Sequence, residues 1–524
     1  MQMKINDLKM KIGNLLLVAV GLSFSISSFS QDHFEKHYSN PDGFFSYSMC
    51  RATEDEFIIG VGNWAETWGM IKVNVNGEMI WAKQFSMESV LPLPYLDNIN
   101  EDNILIVQYS EFGTAMALRV MKMNAQGEFF WANDYLRVSH WGVSSIQTSD
   151  GNIYITSDGA PINVLKLSDD GEWLWTRRIS GSGGGTIHGY DDETKIIETH
   201  DNKLIVVGAT RDSEILENNA FIFELDFNGN LIWGKILGGD NVDQFRSVAE
   251  TADHSYIAAG FTQSMGTGGQ DYFLVKFDSA GNIIWARTYG TYESESCYDI
   301  VGLDGGDFLL SGRYGNSPGE SKGHLARIDA DGNLIWSVGT NDKISFRDVS
   351  VADMNRIAIT GTYVDSLEIS HSILVMTDSS GFLCESLPYY LEVNSVEPEV
   401  STYIVMNDFM DTTIQVPVVV DNLDVEVSTI CYTTFQNEIP AVSAAGLVIF
   451  PNPFSTSATI TLPDNHVYPL DVLIYSSTGA LIQKIPNLGP GPLEIKRDDL
   501  ASGLYFIQVR NPKGIVATGK AFIL

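Results

Sequence analysis

Basic residues are scarce in this 524-residue chain, where 32 lysines and arginines stand against 66 acidic residues for a net charge of −34. Such a surface cannot neutralise a phosphate array, which excludes nucleic acid as a partner and opposes binding to an anionic membrane. Long apolar runs are lacking after the first thirty residues, so no membrane insertion is expected of the remainder. Cysteine is limited to Cys50, Cys297, Cys384 and Cys431, without the CxxC spacing of a zinc site. Two disulfides in any of three connectivities, Cys384 with Cys431 among them, and free buried thiols are all compatible with that count. Helical periodicity is nearly absent, whereas 47 glycines and 11% aromatics point to an all-β chain. Catalytic signatures are missing too: no Gly-x-Ser-x-Gly elbow, no His-Glu-x-x-His and no deaminase string. No catalytic residue, metal or cofactor is therefore expected.

What is abundant is repetition. A Gly-x-x-x-Trp core stands at Gly77 to Trp81, Gly127 to Trp131, Gly171 to Trp175, Gly229 to Trp233, Gly281 to Trp285 and Gly332 to Trp336, and a seventh copy, Ser380-Gly381-Phe-Leu-Cys384, has lost the tryptophan. The glycines lie 50, 44, 58, 52, 51 and 49 residues apart, a propeller-blade or array period. Residues 244–290 serve as the type copy. Gln244 to Thr251 alternates, Ser255 to Thr262 is apolar, Asp271 to Asp278 is a third strand, and Asn282 to Thr288 follows a Ser279-Ala-Gly281 hairpin. Each repeat thus predicts four short antiparallel strands. Asp278 and its equivalents can accept hydrogen bonds from the turn's own amides, the glycine can take positive φ in a bulged hairpin, and the tryptophan can fill the space between sheets with its N–H aimed at a carbonyl. Seven copies predict a seven-bladed β-propeller. His33 to Tyr38 matches the fourth strand of the type copy and is expected to complete the sheet of the last repeat.

The flanks divide the chain further. Lys4, Lys9 and Lys11 precede the apolar run Leu15 to Phe24, and Ser28-Phe-Ser30 offers small residues for cleavage, so residues 1–30 read as a signal peptide with the mature start at Gln31. Removing that leader leaves 29 basic and 65 acidic residues, a net of −36. Residues 31–386 carry the repeats. In residues 387–445 the glycine–tryptophan rhythm stops, and this part reads as an appended β segment, either a small separate piece or additions to the propeller's rim, ending in a linker.

Residues 446–524 form an independent β unit: Pro451-Asn452-Pro453 makes a rigid entry, Gly479 and Gly503 allow turns, and Leu504-Tyr505-Phe-Ile-Gln-Val509 is a strand. These motifs, with Lys520 near the end, closely resemble the type A C-terminal sorting domain of the type IX secretion system of Bacteroidetes-like bacteria. The resemblance implies an immunoglobulin-like β-sandwich, handling by the type IX secretion machinery, and a secreted or outer-membrane-surface location. The residues it carries over are Pro451, Asn452, Pro453, Gly479, Gly503, Leu504, Tyr505 and Lys520. The repeats resemble, more weakly, propeller repeats of Bacteroidetes surface proteins and pyrroloquinoline-quinone-type repeats, the latter without the cysteine pair or calcium acids those dehydrogenases use.

Within the repeats, Asp329-Ala-Asp331-Gly332-Asn333 lacks the distal glutamate of a calcium loop and reads as a hairpin. Gly181-Ser-Gly-Gly-Gly185 reads as a loop, and His188 and His200 show no metal spacing. Asp191, Asp192, Glu193, Glu293 and Glu295 are the acids from which a carboxylate pair could be drawn. Trp64, Trp68, Trp141 and Trp173 lie outside the repeated position and could stack on sugar, although loop packing is the plainer expectation. Together these features favour a non-catalytic binding module for an extracellular protein or glycan, the ligand-binding residues being unassigned. The rivals are a polysaccharide-active enzyme with carboxylates on a propeller face and a structural surface-coat component.

Overall fold

In the computed structural model the chain is all-β, with no helix among the described residues. Described are residues 33–523 apart from 41–42, 54, 64–67, 87–93, 101–102, 113–114, 137–140, 159–161, 181–193, 212–217, 316–320, 352–355, 379–380, 382–386, 402–404, 410–412, 417, 424, 434–447, 451–455, 462–469, 477–480, 489–492, 498–499, 501–502 and 512–513.

Each repeat folds as its pattern directs. In the type copy Asp243–Glu250, Tyr256–Thr262, Asp271–Phe277 and Ile283–Gly290 pair antiparallel in order. The two middle strands are buried along their whole length, which is why they are written as continuous apolar runs. The hairpin between the third and fourth strands is held by Asp278, whose Oδ1 accepts the amides of Ala280 at 3.0 Å and Asn282 at 2.7 Å. Gly281 supplies φ of +78° and the register shifts between Lys276 and Phe277, the bulged geometry that needs a left-handed residue. Asp329 makes the same bonds to Asp331 and Asn333, so the calcium-like string is a hairpin cap.

Seven such sheets follow one another, their first strands beginning at Phe45, Tyr95, Trp141, Lys195, Asp243, Glu295 and Ile344. Each first strand packs on the first strand of the next sheet, and that of the seventh on that of the first, in a closed, propeller-like cycle. His33–Ser39 pairs with Ser370–Asp378 and gives the seventh sheet its fourth strand.

The junctions between sheets repeat one contact. A Cβ on Gly171, Gly229, Gly281 or Gly332 would lie within 3.0 Å of Trp131, Trp175, Trp233 or Trp285, each on the preceding sheet. At the junction that closes the cycle, Phe34 takes the tryptophan's place over Gly77. The hairpin carbonyl is used as well: Tyr38 donates to Gly77 O at 2.9 Å, Tyr135 to Gly171 O at 2.5 Å and Tyr289 to Gly332 O at 2.6 Å. The indole N–H groups follow expectation only in part. Trp131 donates to Asp169 O at 3.1 Å, whereas those of Trp81, Trp285 and Trp336 are buried without an acceptor. The rings are placed for packing, not for that bond.

The segment after the repeats is no separate piece. Leu387–Pro388, Glu392–Ser395, Glu399–Ser401, Val405–Phe409, Thr413–Gln415, Val419–Asn422 and Glu426–Thr433 add one antiparallel outer strand to each sheet in turn, visiting them in reverse order from the sixth to the first and then the seventh. The strap thus runs once around the perimeter, following the rim alternative to its full extent. Tyr389, Val396, Val416 and Leu423 donate their amides to the carbonyls of Ser337, Ala286, Ala132 and Ala82, in each case the residue following a repeated tryptophan. An otherwise open row of edge donors and acceptors is thereby paired on every sheet.

Residues 448–523 form two further sheets, one of three strands and one of four, facing each other across a core that includes Ile449, Ile460, Val472, Tyr505 and Val509. Lys520 is exposed with Nζ 5.6 Å from the Phe506 ring centre. Gly503 opens the strand Gly503–Asn511, which also holds Leu504, while Pro451, Asn452, Pro453 and Gly479 lie outside the described residues, as does the leader.

Two glycines separate the cost of positive φ from that of the ring contact. Gly151 has φ of +77° with open space where a Cβ would go, whereas Gly281 at +78° has Trp233 there. Gly151→Ala is expected to cost about 1–2 kcal/mol from the left-handed backbone alone, and Gly281→Ala about 1–3 kcal/mol more from overpacking, read from urea midpoints and slopes. Equal losses would mean that the tryptophan–glycine contact does not constrain the junction.

Candidate functional site: an arginine-lined cavity on the ring axis

The innermost strands are irregular where they face the axis. The register shifts between Ser46 and Ser48, Phe245 and Ser247, Cys297 and Asp299, and Phe346 and Asp348, so that Tyr47, Arg246, Tyr298 and Arg347 occupy equivalent bulge positions. A bulge re-aims one side chain and frees its neighbours from the strict alternation of a strand.

The residues after the bulge tie sheet to sheet. Asp348 accepts the Met49 amide at 2.8 Å, Ser48 Oγ accepts that of Leu96 at 2.8 Å, Asp97 that of Ser145 at 2.9 Å, Ser144 Oγ that of Ile196 at 3.4 Å, and Asp299 that of Val349 at 3.3 Å. Ser247 Oγ donates to Asp299 at 2.6 Å. Six of the seven junctions therefore carry an axial hydrogen bond between described residues.

These strands enclose a cavity of about 360 Å³ to which all seven contribute. In a molecule so acidic overall, its wall gathers Arg51, Lys195, Arg246 and Arg347. Tyr298 lies between two guanidinium groups, with the Cζ atoms of Arg246 and Arg347 each 4.3 Å from its ring centre, and that of Arg313 is 5.8 Å away. Cation–π attraction fixes the stack, and Arg246 is further held by donating to Ser296 Oγ at 2.8 Å. Burial, reinforced by the like charges of Arg246 and Arg347, lowers the pKa of Arg313.

Asp97, Asp299 and Asp348 share the wall, and each gives at least one oxygen to an axial bond. Asp348 faces the cavity yet lies deep within the ring. Desolvation, with Asp299 and Asp97 close by, pushes its carboxyl well above the ordinary carboxylate range. The arrangement offers fixed donors and positive charge, which suits a carboxylate or sulfate group.

The acids singled out in the sequence do something else. Glu295 is buried at the start of an innermost strand, accepting the Thr291 amide at 3.1 Å, Thr291 Oγ1 at 2.6 Å and the Tyr389 hydroxyl at 2.6 Å. Asp243, at the equivalent place, accepts the Gly239 amide at 2.9 Å and Ser264 Oγ at 2.6 Å. Both cap the loop four residues earlier. Glu293 accepts more weakly from Tyr389 at 3.4 Å. Asp191, Asp192, Glu193, His188 and the Gly181 loop lie outside the described residues.

Trp68 is 1% exposed and stacks on Phe85 with ring centres 4.6 Å apart, while Trp173 donates to Thr176 Oγ1 at 2.9 Å and packs on a junction core. Trp68 therefore has no face open to a sugar ring, and Trp64 is outside the described residues. Cys50 and Cys297 are free and buried, and Cys384 lies outside the described residues. The axial arginines carry no mark in the sequence, although the strings Phe245-Arg-Ser-Val248 and Phe346-Arg-Asp-Val349 contain them and align with Cys297-Tyr-Asp-Ile300.

Residues 448–523 match the family described as "Secretion system C-terminal sorting domain". The chain carries the sorting tail of the type IX secretion system, is handled by that machinery, and is secreted or held at the outer-membrane surface. No helix among the described residues is long and apolar enough to cross a membrane. No curated protein is similar to the chain. Among solved structures, a protein of unknown function from Dyadobacter fermentans is 12% identical, with 66% of this chain and 97% of that one covered and a TM-score of 0.40. The polysaccharide lyase Uly1 is 9% identical over 64% and 89%, with a TM-score of 0.40. A GH43 glycoside hydrolase is 9% identical over 69% and 100%, with a TM-score of 0.27. Likenesses this distant carry no argument about activity.

Because the folded-state pKa of Asp348 is raised, folding takes up a proton, and stability falls as pH climbs from the ordinary carboxylate range through the raised value. Asp348→Asn keeps an acceptor for the Met49 amide and should remove that part of the fall. Asp348→Ala leaves the amide unmet and should cost about 1–3 kcal/mol at every pH. Melting temperatures of the three proteins between pH 4 and 9 test this; a wild-type slope retained in the asparagine variant would contradict it.

Proposed function

We propose that residues 31–386, with the strap that follows, form a seven-bladed β-propeller exported by its immunoglobulin-like sorting tail. Its work outside the cell is non-catalytic binding. The axial cavity holds a carboxylate- or sulfate-bearing group presented by an extracellular glycan or protein.

The observation that carries this reading is the Arg246–Tyr298–Arg347 stack with Arg313 beside it. Guanidinium groups held by cation–π contacts are already ordered, so little side-chain entropy is lost when an anion arrives. The same arrangement disfavours the enzyme reading. Cleavage of a glycosidic bond calls for two carboxylates disposed about it, whereas the acids of the axial wall are engaged in holding the ring and Glu295 caps a loop. With a strongly negative protein around a positive pocket, affinity depends on the local donors and weakens with salt.

The test is calorimetric titration of the full chain with acidic oligosaccharides and acidic peptides, their uncharged counterparts, and a check for released product. An acidic probe should bind in preference to its neutral form, and Arg246→Gln or Arg347→Gln should weaken it by roughly ten-fold or more, the loss of a charge-assisted hydrogen bond. Equal binding of neutral and acidic probes, unchanged affinity in both folded variants, or product formation would overturn the proposal.

A further inference from the structure

On the side of the ring where the innermost strands end, the first turn of one sheet meets that of the next through a glutamate. Between the third and fourth sheets Glu198 accepts the Ser149 amide at 2.9 Å and the Ser149 hydroxyl, which also donates to Asn202 Oδ1 at 3.1 Å. Between the fourth and fifth sheets the same three positions hold Glu250, His200 and His254. Glu250 Oε2 accepts the His200 amide at 3.0 Å, while Oε1 lies 2.6 Å from His200 Nδ1 and 3.4 Å from His254 Nδ1. The imidazole rings are nearly parallel, 17° apart with centres 3.3 Å from each other, and one ligand atom from each of the three residues lies within 4.8 Å of the other two.

We infer that His200, Glu250 and His254 form a binding site for a first-row divalent metal ion, zinc(II) being the best match. Two imidazole nitrogens and one carboxylate oxygen are the donor set of borderline-soft ions. Ligands about 2.0–2.1 Å from a tetrahedral centre stand roughly 3.3 Å apart, near the 3.4 Å between Oε1 and His254 Nδ1. The shorter approach of His200 opens by rotating a side chain that is 41% exposed. Glu250 needs no outside help to stay oriented, because Oε2 is held by the His200 amide while Oε1 faces both rings. Solvent on the exposed side supplies the remaining coordination.

The backbone is compatible with the site. His254 has φ of +60°, and at the matching turn position Gly151 has +77° and Asn202 +60°. Histidine, like asparagine, is among the residues that enter this conformation readily, so the turn presents the His254 ring without a special backbone cost. Its partner His200 is 54 residues away in the chain, which is why no short metal motif is visible. A metal here would clamp two neighbouring sheets of the ring and act separately from the axial cavity.

The variants to use are His200→Ser and His254→Asn, which copy the junction next door and so preserve the hydrogen-bonded form of the clasp. Full-length protein, freed of metal by a chelator, is titrated with zinc(II) against a chromophoric competitor near neutral pH and then with cobalt(II) for its visible spectrum. The expected result is one equivalent taken up, a nitrogen–oxygen cobalt spectrum, a raised melting temperature, and at least a hundred-fold weaker uptake in the double variant with its metal-free melting temperature little changed. Absence of stoichiometric uptake, or uptake and spectrum unchanged in the double variant, would overturn the site. A double variant that fails to fold is replaced by Glu250→Gln, which retains the His200 amide bond and should lose uptake as well.

Discussion

The ring depends on an indole from one sheet lying against the hairpin glycine of the next. Where it is made, that contact explains two features at once: why the turn residue is glycine, where asparagine could otherwise serve, and why the aromatic sits four positions later. The glycine answers both to positive φ and to the ring of the preceding sheet, as at Gly281 beneath Trp233. The one repeat without its tryptophan, where Glu385 stands four positions after Gly381, would leave the cycle open at its seam. The N-terminal strand repairs it, bringing Phe34 over Gly77 and the Tyr38 hydroxyl to the Gly77 carbonyl. Closure is thus a matter of one borrowed strand that carries both the missing aromatic and the missing hydroxyl.

Two further sets of bonds act on the same cycle from opposite sides. On the axis, Asp348, Ser48, Asp97, Ser144 and Asp299 pass hydrogen bonds from sheet to sheet. On the perimeter, the strap pairs the exposed edge of every sheet. Each strap strand is short, between two and eight residues, and an isolated strand of that length has little stability. Only as successive additions to preformed edges does the segment acquire structure, so the order of dependence runs from ring to strap. The sorting tail has a core of its own, consistent with a separate role in export.

The four-stranded repeat, its hairpin chemistry and the borrowed N-terminal strand were legible because they rest on local rules: glycine at positive φ, an aspartate accepting turn amides, apolar runs buried on both faces. The strap was legible only as one of two alternatives, since most of its strands are too brief for period-two alternation to register and its anchoring bonds use backbone amides such as those of Val396 and Leu423, which leave no side-chain signature. The axial arginines were hidden by a different cause. A bulge breaks alternation at the very residue it re-aims, so Arg246 and Arg347 read as ordinary polar positions of an edge strand until three copies are set side by side. His200 and His254 meet only because equivalent turns of adjacent sheets are neighbours. Glu293 and Glu295 invited a catalytic reading through charge alone, and the hydrogen bonds of Glu295 to Thr291 and Tyr389 give it a capping role.

Amide hydrogen exchange across residues 387–433 of the full chain addresses the closed, strapped ring most directly. Bonded to carbonyls of the ring, the amides of Tyr389, Val396, Val416 and Leu423 should exchange at least a hundred-fold more slowly than in an unstructured peptide, a protection of about 2.7 kcal/mol or more. Exchange of these four at the free-peptide rate would contradict the strap and leave the outer edge of each sheet unpaired.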